Sequence, residues 1–147
     1  MFFKKIRDFF ATKPSSATVE DAPKAAESEL IAPSDLIQNH LVRQQLLAEI
    51  EQMTEKARAR QQDPSYWHNV GYVQAGAVSF AKDVVLGVSV DLPHAEYREA
   101  IRQPFKRKIQ AYWNDDDADP DGFGLGTLYA ILEAADLRNG ADWVREN

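Results

Sequence analysis

Between Tyr66 and Val88 apolar side chains recur at steps of 4, 3, 4, 3, 4 and 4: Tyr66, Val70, Val73, Ala77, Phe80, Val84 and Val88. A strand cannot use that pattern, because its successive residues face opposite sides; only a period near 3.6 keeps these positions on one face. The segment therefore reads as an amphipathic helix that must bury one side. Asp63-Pro64 supplies its start, a capping residue followed by proline at the first helical position. Its end, VVLGVSV over 84–90, is β-branched enough to be read as either helix or strand. On a second face Gly71, Ala75 and Ser79 lie four apart with Gly76 beside them. Glycine costs a helix about 1 kcal/mol relative to alanine, so this smooth groove predicts the close approach of another helix.

The neighbour expected there is the preceding segment. It opens at Ser34-Asp35, both good caps, after Pro33, and carries Leu41/Val42, Leu46/Leu47, Ile50, Met53 and Ala57 as its apolar stripe. Run to residue 62, it is about 42 Å long, with Arg58 and Arg60 expected in solvent near its end. A third helix starts at Asp91-Leu92-Pro93 and buries Tyr97, Ile101, Phe105, Ile109 and Tyr112/Trp113. Pro104 predicts a kink or break within it, since proline removes an amide and clashes with the carbonyl of Ala100. A loop over Asn114–Gly122 leads to a last helix at Thr127–Arg138 that stops at Asn139-Gly140, with Trp143 and Val144 folding back on the core. The expected fold class is all-α: a compact domain of four to five helices over 34–147, preceded by a short amphipathic N-terminal helix and a flexible linker.

The charge pattern supports that division. The chain has 147 residues, 17 basic and 23 acidic, for a net charge of −6. Residues 1–13 are basic, with Lys4, Lys5, Arg7 and Lys13 against Asp8, and place Phe2, Phe3, Ile6, Phe9 and Phe10 on one side. Charged pairs interrupt the apolar run a secretory signal needs; a short basic helix with a Phe-rich face suits an anionic membrane surface or a partner's groove. Residues 14–33, rich in Pro, Ser and Ala, read as a linker spanning about 25 Å root-mean-square. No run approaches the roughly 18 apolar residues that span a bilayer. The absence of cysteine excludes disulfides, thiolate zinc and iron–sulfur clusters. The expected location is cytoplasmic, with peripheral membrane contact through residues 1–13.

The acidic loop NDDDADPDGFG is the most distinctive local feature. Asp117, Asp119, Asp121 and Gly122 match positions 1, 3, 5 and 6 of an EF-hand calcium loop. Position 12, where a bidentate glutamate closes the cage, is Leu128, and position 8 is Gly124. Calcium is thus the alternative to having no cofactor, and the same carboxylates can instead attract a basic protein. The plain reading is an exposed turn whose Asp residues favour the positive end of the next helix.

Other motifs fail on their spacing. Gly122, Gly124 and Gly126 alternate, but no strand precedes them and the Asp residues upstream repel a pyrophosphate. Gly71 and Gly76 have P-loop spacing without the Lys and Ser/Thr that follow it. His40, His68 and His94 fall on three helices with no ligand spacing, and no serine occupies a nucleophile elbow. No catalytic residue is named. Arg98, Arg102 and Lys106, with Arg107 and Lys108, form a basic stripe, but a body at −6 argues against nucleic acid. The expected function is a non-catalytic protein-interaction module of adaptor, chaperone-like or toxin-neutralising immunity type. One protein partner, of basic character, is expected to meet Asp115, Asp116, Asp117, Asp119, Asp121, Tyr66 and Trp67, aromatics being favoured at hot spots.

Overall fold

The period read from Tyr66 to Val88 becomes a single helix in the computed structural model, which describes residues 31–115 and 117–138. Four helices follow one another: α1 (Pro33–Gln61), α2 (Trp67–Gly87), α3 (His94–Asn114) and α4 (Phe123–Ala134). No strand occurs among the described residues, so 84–90 ends as helix and turn: α2 reaches Gly87 and the Val88 amide donates to Val84 O. All four helices belong to one compact unit, Pro33–Asn147. The readings of residues 1–13, of 14–30, and of Trp143 and Val144 lie outside the described residues.

Helices α1 and α2 form an antiparallel pair joined by a short turn. Asp63 shapes that turn by accepting the Ser65 amide at 2.9 Å, which holds its carboxyl below the usual carboxylate range. Gly71 fulfils part of the expected groove. A Cβ there would stand 2.5 Å from the Gln61 nitrogen and 2.8 Å from the Ala57 carbonyl, so the two backbones meet. Gly76 does not share this role, since a Cβ there meets nothing within 4 Å.

The α1 stripe is Val42, Leu46, Ile50, Met53 and Ala57, extended by Asn39, which is fully buried. Ile37 and Leu41 fall off that stripe and stay exposed. Asn39 Nδ2 donates to Val90 O at 2.9 Å and to Leu92 O at 2.7 Å, while its Oδ1 accepts from His94 Nδ1 at 2.8 Å. One side chain thereby satisfies the connection into α3, whose backbone groups would otherwise be buried without partners.

Pro104 neither ends nor interrupts α3, contrary to one of the two outcomes expected. A proline inside a helix costs about 3 kcal/mol. Its neighbours on the buried face, Tyr97, Ile101, Phe105 and Ile109, are fully buried on both sides of it, at about 1.5–3 kcal/mol per large side chain. Burial outweighs the lost hydrogen bond.

The last helix begins four residues earlier than its apolar period suggests and ends at Ala134 rather than Arg138. The start is set by Asp119, whose two carboxylate oxygens accept the Gly124 and Leu125 amides at 2.8 and 2.9 Å. Gly122 turns the chain at φ 76°. The end is a Schellman motif: Leu137 N donates to Leu132 O, and Asp136 N to Glu133 O, with Asp136 at φ 55°. Leu137 then drops into the core. Two members of the basic stripe are committed to this corner, Arg98 donating to Asp136 O and Arg102 to Leu137 O. Lys108 lies over the Phe80 and Tyr112 rings.

Candidate functional site

The turn between α1 and α2 and the turn before α4 come together at one end of the helices. Four aromatic residues collect there. Tyr66 meets Trp67 edge-on at 5.2 Å between centroids, and Trp67 meets Phe123 edge-on at 5.6 Å. His68 meets Tyr72 at 5.0 Å and donates from Nδ1 to Gln61 O at 2.6 Å. Tyr66 is 53% exposed, Tyr72 58% and Trp67 39%, unusually open for rings of this size. Hydrogen bonding to the Asp121 carboxylate, more than desolvation, holds the Tyr66 phenol above its ordinary pKa. The two segments expected from sequence to meet a partner thus touch through Tyr66 and Asp121, and through Trp67 and Phe123.

Behind this surface runs a cleft of about 310 Å³ lined by Met53, Lys56, Arg60, Gln74, Asp121, Gly122, Phe123, Gly126 and Thr127. Arg60 is its most constrained side chain. It donates to Gln74 Oε1 at 2.8 Å, and its guanidinium carbon lies 4.9 Å from the Trp67 ring centre and 5.4 Å from that of Phe123. Arg60 is therefore half-buried, not in solvent as expected, because two rings and an amide offer it a better environment. Gln74, almost fully buried, passes the chain on: Nε2 donates to Thr127 Oγ1 at 3.3 Å, and Thr127 donates to Phe123 O at 2.8 Å. Sequence reasoning missed Arg60, Gln74 and Thr127. The signal available was Gln74 itself, a polar residue between the apolar Val73 and Ala77 of α2.

The acidic residues divide sharply. Asp115, Asp117 and Asp121 are exposed, and Asp115 accepts the Asp117 amide at 3.1 Å. Asp116 lies outside the described residues. Asp119 is the correction: at 8% exposure, with both oxygens held by backbone amides, it anchors α4 instead of facing a partner. Its burial also helps to explain Tyr112, whose phenol is pushed up by desolvation and then by the Asp119 charge. Among the described residues no group of three His, Asp or Glu side chains is placed to hold a metal ion. His40 is exposed on α1, His68 caps the end of the same helix, and His94 is tied to Asn39, so the three histidines do not converge.

No known protein family, no curated protein and no solved structure matches this chain. Its chemistry must be read from the surface alone. That surface offers exposed rings, a carboxylate rim and a preorganised cation. No helix among the described residues is long and apolar enough to cross a membrane.

Proposed function

We propose that the chain is a non-catalytic protein-interaction module whose partner docks on the aromatic and acidic face at the α1–α2 turn. The adaptor, chaperone-like and toxin-neutralising readings all share this surface. The observation that carries the proposal is the juxtaposition of exposed Tyr66, Trp67 and Tyr72 with the Asp121 rim. Rigid aromatic side chains bury large area for little conformational entropy, which is why they dominate hot spots. The exposed carboxylates of Asp115, Asp117 and Asp121 steer a basic partner onto them. The basic, Phe-rich segment 1–13 fits the role of a tether to an anionic membrane surface, a reading that rests on sequence alone.

The test is capture of partners from native lysate by the full chain and by a Tyr66→Ser, Tyr72→Ser variant, read by mass spectrometry. Both rings are mostly exposed, so the variant should melt within a few degrees of the parent. A partner held by the parent, weakened by salt and lost from the variant, is the expected result. Equal recovery by both proteins would reject this face.

A further inference from the structure

We propose that the cleft behind the aromatic face is a binding site for a small organic monocarboxylate, independent of any protein partner. Its volume, about 310 Å³, lies at the lower end of the range of small-molecule pockets. Lys56 and Arg60, four residues apart on α1, bring two cations to one wall, and neither has a carboxylate at ion-pair distance among the described residues. Asp121 brings one negative charge to the lining. The lining therefore carries one net positive charge, which suits a monoanion better than a doubly charged phosphate. Met53 and Phe123 give the apolar body of such a ligand something to rest against.

Two further observations indicate preparation for an occupant. Arg60 is held before anything binds, by Gln74 and by the Trp67 and Phe123 rings, while only one of its five N–H groups is used by Gln74. Such restraint lowers the entropy lost on binding. Gly126 is the second. It lies within α4, where glycine is unfavourable, yet a Cβ at this position would meet nothing within 4 Å, so no contact inside the chain requires it. It lines the cleft with exposed backbone, leaving open space where a side chain would stand. A carboxylate placed between Lys56 and Arg60 would take charge-assisted hydrogen bonds from both.

Benzoate is the probe, titrated into the isotope-labelled full chain at constant ionic strength and followed by amide and Arg Nε shifts. Benzyl alcohol and inorganic phosphate serve as the neutral and the dianionic comparisons. Saturable millimolar binding of benzoate is expected at Gly122, Phe123, Gly126 and Arg60, with benzyl alcohol without effect and phosphate weaker. Lys56→Gln, an exposed position, should weaken benzoate roughly five- to tenfold by removing one charged contact. Gly126→Leu should abolish binding by filling the cleft while leaving the melting temperature equal or higher. Equal binding of benzyl alcohol would overturn the charge argument, and equal or tighter phosphate would overturn the choice of carboxylate. Benzoate shifts that are absent, or unmoved by both substitutions, would overturn the site. Because the probe needs no partner, these results are separable from loss of a protein in lysate capture.

Discussion

At the residue scale the fold rests on a few polar side chains whose value depends on whether every bond is made. Asn39 is fully buried with three hydrogen bonds, and replacing it by leucine would leave two half-buried carbonyls and the His94 N–H without their partner. Each such group costs about 1–3 kcal/mol, so Asn39→Leu is expected to destabilise by about 3 kcal/mol in urea denaturation even though leucine is more apolar. Tyr97 is the opposite case. Its hydroxyl is buried without a partner, and burial raises its pKa despite the opposing charge of Arg43. Tyr97→Phe deletes only the unsatisfied atom, so the same measurement should find it neutral or stabilising by up to about 1 kcal/mol. Neither residue is distinguishable by type. An Asn inside an apolar stripe and a Tyr inside another read alike until the loop carbonyls at Val90 and Leu92 are placed.

At the scale of elements, the helices were legible where one face carries the whole signal. The Tyr97–Ile101–Phe105–Ile109 series survives intact, and the start of α1 at Ser34 holds to within one residue. Helix α2 is a helix as read, but its buried face is Val70, Gly71, Gln74, Ala77, Val78, Ala81 and Val85. That face is turned from the expected one, so that Tyr66 is exposed and Val73, Phe80 and Val84 are only half-buried. The error at α4 has a definite cause. Gly122, Gly124 and Gly126 argue locally against helix, and only the Asp119 carboxylate, capping from outside the helix, makes the early start favourable. Gly124 also has no room to be anything larger, as a Cβ there would stand 3.0 Å from the Tyr112 ring. Glycines on α2 give the sharper test of packing against propensity. Gly71→Ala forces a methyl into the α1 backbone and should cost about 2 kcal/mol net of its helix gain. Gly76→Ala meets open space and should stabilise by about 0.5–1 kcal/mol. Similar thermal shifts from the two would mean that the α1–α2 contact is looser than the backbone distances imply.

At the scale of the whole molecule, the candidate site shows why composition alone misleads. Composition does not tell the Asp residues of one short loop apart, but tertiary contacts set the buried cap at Asp119 against the exposed Asp115, Asp117 and Asp121. The basic stripe on α3 was likewise drawn inward, with Arg98 and Arg102 serving the carbonyls beyond α4. No spacing rule reports such long-range partners.

Tyrosines add a property that only the assembled fold has. Burial raises the pKa of Tyr97, Tyr112 and Tyr129, and Asp121 raises that of Tyr66, so all four phenols hold their protons more tightly folded than unfolded. Below the unfolded value of about 10 both states are neutral and this contribution is fully present. As pH rises past it the unfolded chain releases protons that the folded chain retains, and stability falls until the folded pKa values are passed. The urea midpoint should therefore be flat across neutral pH and drop between about pH 9.5 and 11, with phenolate absorbance appearing together with unfolding. In Tyr97→Phe the drop should be shallower, because one raised group is gone. A midpoint indifferent to pH up to 11 would mean that these rings ionise as easily in the folded protein as in water.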